Sequence, residues 1–108
     1  MTLSTHVLDT SSGRPAGGVV VRLEAFDGNG WRPVSSAITD IDGRIGNLLG
    51  EEPLARGEYR LTFEVGAYLG DDAFYPEIAV VFRVDSPEEH HHIPLLLSPF
   101  GYSTYRGS

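Results

Sequence analysis

Cysteine and lysine are both missing from this 108-residue sequence. Without cysteine, the chain has no disulfide framework, no thiolate metal site and no thiol nucleophile. Without lysine, Schiff-base chemistry is excluded, and arginine is the only permanent cation. The net charge of −7 argues against a clustered basic face for nucleic acid. The fold must therefore hold by packing alone, and an anionic ligand would need a local group of Arg and His.

Long apolar runs are also lacking. No window approaches the roughly 18 apolar residues of a membrane span, and residues 1–10 lack the basic start and apolar core of a signal peptide. The length suits one domain of ordinary size. We therefore expect residues 1–108 to form a single soluble domain that is not exported and resides in the cytoplasm.

Glycine and proline are abundant, at 13 and 7 residues, which favours short strands and tight turns over helices. The spacing of turn signals predicts an all-β sandwich of two four-stranded sheets. The predicted strands are 2–8, 19–26, 31–38, 45–49, 58–65, 78–84, 90–97 and 102–106. Residues 67–72 are the one segment where a short helix fits, because Pro76 would stop it before the next strand.

Strand alternation places several histidines on outward faces. In the strand 90–97, the core face carries His91, Ile93, Leu95 and Leu97, whereas His90, His92, Pro94 and Leu96 share the other face. In the first strand, His6 points outward with Ser4 and Leu8. A strand histidine is usually structural or surface-exposed, but it titrates near neutral pH and is therefore also a candidate catalyst.

Three of these histidines offer an alternative, a zinc site. His90 and His92 lie two residues apart on one strand, and His6 nearby would complete the open tetrahedral geometry of catalytic zinc. No carboxylate is obviously placed to orient these ligands, since Glu88 and Glu89 are typical of a solvated turn. The pattern alone leaves this alternative open.

Two further segments are candidates for a functional role. Arg44 ends the tight turn that contains Asp42 and Gly43, where a side chain is set rigidly, although a surface loop arginine would look the same. The segment 100–108 is aromatic and rich in hydroxyls, which favours a docked tail over a frayed one.

The sequence resembles the 5-hydroxyisourate hydrolase family, the enzyme branch of the transthyretin-related proteins. The matching motifs follow one another in order along nearly the whole chain: THVLDT at 5–10, GRPA at 13–16, TDIDGR at 39–44, FYPE at 74–77, HHHIPLLLSP at 90–99 and YRGS at 105–108. The last tetrapeptide resembles the signature that separates the hydrolases from the hormone-carrying transthyretins.

The resemblance implies a transthyretin-like sandwich, assembled as a homotetramer (a dimer of dimers) with sites between subunits. It implies hydrolysis of 5-hydroxyisourate at a ring C–N bond in urate degradation, without metal or organic cofactor. The implied catalytic residues are His6, Arg44 and His92, and the implied substrate-binding residues are Tyr105, Arg106 and Ser108. A non-enzymatic carrier of the transthyretin type is the main alternative, and the zinc hydrolase is the second.

The chain departs from the family pattern in two places. His91 stands where the family has Tyr or Phe, on the core side, so a buried ring would need a hydrogen-bond partner there. Residues 65–74 are shorter than is common in the family, which predicts a helix of about one turn. Neither departure touches a residue assigned to chemistry.

Overall fold

The computed structural model describes residues 2–71 and 73–108. The elements in chain order are β1 (Leu3–Asp9), β2 (Arg14–Pro15), β3 (Val20–Phe26), β4 (Trp31–Ile38), β5 (Arg44–Ile45), β6 (Gly57–Glu64), α1 (Gly66–Leu69), β7 (Ile78–Val84), β8 (His91–Ser98) and β9 (Gly101–Thr104). No helix in this described part is long and apolar enough to cross a membrane.

The strands form the predicted two-sheet sandwich. One sheet has the order β4-β3-β6-β7, and the other has the order β2-β1-β8-β9 with β5 also paired to β1. The second sheet thus has five strands instead of the predicted four, because the two-residue strands β2 and β5 both pair with β1. β1 and β8 are parallel neighbours, although they lie at opposite ends of the chain.

One apolar core joins the two sheets. Its fully buried side chains include Val7 and Leu95 from the sheet that contains β1, and Leu23 and Phe63 from the sheet that contains β3. Burying side chains of this size contributes about 1.5 to 3 kcal/mol each. The core faces predicted from alternation are confirmed. The inward residues of β8, named above, are all buried, and so are Leu3, Thr5 and Val7, which alternate with His6 in β1.

The buried polar ring expected at His91 is present. Only 4% of His91 is exposed. Its Nδ1 lies 2.9 Å from the backbone carbonyl oxygen of Glu89, which can only accept, so Nδ1 carries the proton. The hydrogen bond offsets the cost of burying the imidazole.

The helix is one turn long, as predicted, but lies earlier than the predicted segment 67–72. It ends because Gly70 adopts a positive φ of 89°, a conformation that suits glycine. Tyr68 holds the helix against the end of β1, since its hydroxyl donates to Oδ2 of Asp9 over 2.9 Å. The predicted end of the helix, Asp72, lies outside the described residues.

The strand predicted over 45–49 is wrong beyond Ile45. Oδ1 of Asn47 accepts a hydrogen bond from the backbone N–H of Leu49, which bends the chain into a turn. Leu48 and Leu49 are buried within that turn. Apolar residues therefore reach the core there without forming a strand.

Candidate active site

Strand pairing brings the three predicted catalytic residues to one outer sheet face. His6 on β1 lies opposite Arg44 on β5 and opposite Pro94 on β8. His92 lies two residues before Pro94 and therefore points to the same side as His6. We call these three residues, Arg44, His6 and His92, the catalytic row, after the role predicted for them.

The backbone of Arg44 is held by the turn that precedes it. Oδ1 of Asp40 accepts hydrogen bonds from the N–H groups of Asp42 and Arg44, each over 2.9 Å. Gly43 has a φ of 75°, and a Cβ there would lie 2.4 Å from the carbonyl oxygen of Val7. The turn can therefore sit this close to β1 only with glycine at this position.

His92 occupies an electropositive, half-buried position. Burial lowers the pKa of His92 below its ordinary value, and the charges of His90, His6 and Arg44 lower it further, whereas the hydrogen bond to Ser4 opposes the shift. His92 is therefore neutral at neutral pH. A neutral imidazole beside a permanent guanidinium can accept a proton while the cation stabilises a developing negative charge.

Ser4 is a site residue that the sequence did not single out. It is paired with His92 across the β1–β8 ladder, and its Oγ lies 2.8 Å from Nδ1 of His92. The same Oγ lies 3.0 Å from Nε2 of His90. Alternation had placed Ser4 on the face of His6, but no sequence signal connects it to a strand 88 residues away.

The segment 105–108, which we call the tail, docks beside His92. The predicted strand 102–106 ends instead at Thr104, because the next opposite residue, Pro94, has no N–H for the ladder. The hydroxyl of Thr104 donates to the Pro94 carbonyl over 2.7 Å. Three residues after Thr104 the pairing resumes, and the N–H of Gly107 donates to the carbonyl of His92 over 2.8 Å.

Gly107 is in close contact with the His92 ring. A Cβ at this position would lie 2.5 Å from Cδ2 of His92 and 3.3 Å from Cγ of Pro94. The tail therefore reaches the catalytic row because this residue lacks a side chain.

The three predicted substrate-binding residues, Tyr105, Arg106 and Ser108, flank this contact and are exposed. Arg106 forms an ion pair with Glu89 over 3.1 Å, which ties the tail to the turn before β8. Their role in substrate binding stays a prediction. Because both side chains of the pair are exposed, the pair contributes at most about 1 kcal/mol to stability.

Two features bear on what the site can bind. Within residues 2–71 and 73–108, no group of three or more His, Asp or Glu side chains is arranged to hold a metal ion. A groove of about 260 Å³ lies between β7 and the tail and is lined in part by Val80, Phe82 and Ile93. The groove includes Tyr105 and Arg106, but its lining does not include the catalytic row.

The fold and the row define a transthyretin-like sandwich with a histidine and arginine site on one sheet face. Residues 3–107 match the model of the HIUase/Transthyretin family, and the chain belongs to that family. It is 50% identical over 109 residues to the 5-hydroxyisourate hydrolase of Salmonella typhimurium, an alignment covering 98% of this chain and 80% of the relative.

Solved structures show the same fold on both branches of the family. The 5-hydroxyisourate hydrolase of Klebsiella pneumoniae superposes with a TM-score of 0.85 at 39% identity, covering all of both chains. Sea bream transthyretin, solved with thyroxine, gives a TM-score of 0.89 at 34% identity, covering 99% of this chain and 95% of that one. The two hydrolase relatives confirm the resemblance seen in the sequence and the prediction of an enzyme.

Proposed function

We propose that this chain hydrolyses 5-hydroxyisourate to 2-oxo-4-hydroxy-4-carboxy-5-ureidoimidazoline, in urate degradation. The observation that carries the proposal is the catalytic row, in which a neutral histidine lies beside a second histidine and a permanent cation. The hydrolase relatives named above supply the substrate. The fold alone would not, because the thyroxine-bound transthyretin shares it.

In the proposed mechanism, Nε2 of His92 removes a proton from the attacking water, because Nδ1 is engaged by Ser4. The water oxygen bonds to the ring carbonyl carbon, whose oxygen becomes an oxyanion. His6, on the neighbouring strand β1, positions the water. The C–N bond then breaks, and the proton is returned to the leaving nitrogen.

Arg44 stabilises the oxyanion. Its guanidinium is planar and always charged, so it pairs with a urate-like carbonyl without a proton-transfer step of its own. The tail residues Tyr105, Arg106 and Ser108 orient the flat substrate with their polar groups. The mechanism uses neither a metal nor an organic cofactor.

We further propose that the active form is a homotetramer, a dimer of dimers with sites at subunit interfaces. In a single chain Arg44, Tyr105, Arg106 and Ser108 are exposed, so a second subunit is needed to enclose the substrate. The cytoplasmic location expected from the sequence remains a prediction.

The test is the decay of freshly generated 5-hydroxyisourate, followed by ultraviolet absorbance. Wild type should accelerate decay, and His92→Ala should remove the acceleration. Arg44→Ala should lower turnover about 10²- to 10³-fold, the cost of losing one oxyanion donor. Arg32→Ala, which removes an exposed arginine of the other sheet paired with Glu52, is the matched control and should remain active.

The same assay with a chelator present distinguishes the metal-free mechanism from a zinc hydrolase. Activity that survives the chelator supports the metal-free mechanism, whereas activity lost with the chelator would favour the zinc hydrolase. If the substrate decays no faster with wild-type protein than in buffer alone, the hydrolase proposal fails. The non-enzymatic carrier of the transthyretin type then takes its place.

A further inference from the structure

Three hydrogen-bonded residues, Thr2, His90 and Ser4, connect His92 to the protein surface. Thr2 Oγ1 hydrogen-bonds Nδ1 of His90, and Nε2 of His90 lies 3.0 Å from Oγ of Ser4. The same Oγ lies 2.8 Å from Nδ1 of His92. Ser4 is buried and His90 is exposed, so these hydrogen bonds lead from the catalytic row to water.

The Ser4 hydroxyl has a single proton, which restricts the protonation of both rings. If Ser4 donates to one imidazole nitrogen, it must accept from the other. When Ser4 donates to His90, Nδ1 of His92 carries a proton and Nε2 of His92 presents a free lone pair. This is the state that a base acting through Nε2 requires.

The geometry of the two rings supports this coupling. Their centroids are 6.3 Å apart and their planes differ by 18°, so both rings present a nitrogen to one hydroxyl from the same side of the strand. His90 itself has no ladder position in β8, which begins at His91. Its ring is therefore placed by Thr2 and Ser4.

We propose that His90, acting through Ser4, is a positioning residue for His92: it holds the ring proton of neutral His92 on Nδ1 and receives a proton after Nε2 has taken one from water. This inference rests on the proposed function. It assigns a role to a histidine that touches neither the substrate nor the reacting atoms.

The proton transfer balances without any further reactant. After Nε2 of His92 has accepted the water proton, the Nδ1 proton passes to Ser4 Oγ while the Ser4 hydroxyl proton passes to Nε2 of His90. One N–H and one O–H bond break, and one O–H and one N–H bond form. His90 becomes the cation, in contact with water, and the reverse transfer restores Nδ1–H as Nε2 protonates the leaving nitrogen.

The direct test is the tautomer of His92, read by long-range ¹H–¹⁵N NMR correlations on the assembled protein at a pH where the ring is neutral. Wild type should carry the proton on Nδ1. Ser4→Ala removes the bridge and should shift His92 toward the Nε2–H form. Thr5→Val is the matched control: it also removes a buried β1 hydroxyl bonded to β8, here to the carbonyl of Ile93 over 2.6 Å, but on the opposite face.

Kinetics supply the second readout. His90→Phe keeps a ring but no donor or acceptor, and kcat should fall roughly 10- to 100-fold, as when a partner that orients a functional histidine is removed, with KM little changed. His90→Gln places an amide near the position of Nε2 and should recover much of the loss. If His90 had only a structural role, the His90→Phe and His90→Gln variants would not differ in kcat.

The outcomes are separable. The positioning role is overturned if wild-type His92 carries its proton on Nε2, if Ser4→Ala leaves the tautomer unchanged, or if His90→Phe has the kcat of wild type. If wild type shows no hydrolysis at all, the proposed function fails, and the tautomers of wild type and Ser4→Ala still decide whether His90 and Ser4 set the protonation of His92.

Discussion

At the scale of the residue, the pKa of His92 links its surroundings to its chemistry. Burial lowers this pKa below the ordinary value of 6.5, and the charges of His90, His6 and Arg44 lower it further. A base whose pKa lies below neutral pH is in its active, unprotonated form under working conditions.

We therefore predict that kcat/KM decreases with the uptake of one proton by His92 as pH falls, with a midpoint below the ordinary histidine value of 6.5. An NMR titration of the His92 ring protons should give the same midpoint. A peptide spanning residues 88–94 supplies the reference for an unfolded chain. A His92 midpoint at or above that of the peptide would contradict the prediction.

The same shift affects stability, with a definite sign. Above its ordinary pKa, His92 is neutral in both the folded and the unfolded chain and contributes nothing to pH dependence. As pH falls from that value to the lower folded pKa, only the unfolded chain takes up the proton, so the free energy of unfolding decreases. Below the folded pKa the effect is constant.

At the scale of the element, the docking of the tail through its glycine positions the predicted substrate-binding residues. The tail is attached by one backbone hydrogen bond, the bridge from Gly107 to His92, and by the exposed pair of Arg106 with Glu89. The sandwich core contains no tail residue. Function should therefore depend on the tail far more than folding does.

Deletion of residues 105–108 should abolish hydrolysis yet lower the free energy of unfolding by only about 1 kcal/mol, the net value of one hydrogen bond and a weak surface pair. Gly107→Ala should displace the tail and lower kcat/KM, because its Cβ would collide with the His92 ring. Urea unfolding and the decay assay measure the two effects.

The matched control is Gly101→Ala in the same terminal segment. A Cβ at Gly101 would meet only Oγ of Ser98, at an ordinary 3.7 Å. Equal activities of the Gly107→Ala and Gly101→Ala variants, or an active deletion variant, would show that the tail does not position the substrate.

The strands also show which parts of the fold can be predicted from the sequence. Turn signals and the runs between them predicted the long strands, and alternation predicted both histidine faces, because burial on one side imposes a period of two on the residues. The strand prediction failed at Leu48 and Leu49, which are buried in a turn, since apolar character reports burial and not backbone conformation. It also missed the interruption of the last strand, which is caused by Pro94 on the partner strand.

Only part of the site could be predicted from the sequence, because some of its contacts depend on the pairing of distant strands. The resemblance supplied the catalytic row and the tail, residue by residue, and alternation agreed for His6 and His92. Ser4 and its bond to His90 depend on the parallel pairing of β1 with β8. Nothing in either segment alone encodes that long-range register.

At the scale of the whole molecule, one surface is unusually aromatic. Phe74 contacts Tyr75 edge-on at 4.9 Å, and Tyr75 contacts Tyr102 in the same way at 5.4 Å. Phe100 is 76% exposed in the turn before β9. The N–H of Phe74 donates to the carbonyl of Pro99, so these rings lie around one loop pair. Exposed apolar patches of this kind mark protein interfaces.

We predict that this aromatic surface holds subunits together and that assembly completes the active site. Analytical ultracentrifugation should give wild type the mass of four chains. Phe100→Glu would bury a charge at the interface, which should shift the protein to smaller species and lower kcat/KM together with the loss of assembly. Ile38→Glu, at a 63% exposed position on β4 in the other sheet, is the control and should stay assembled. A monomeric wild type with full activity would show that one chain encloses the substrate unaided, and the exposure of Arg44 and of the predicted substrate-binding residues would then need a different explanation.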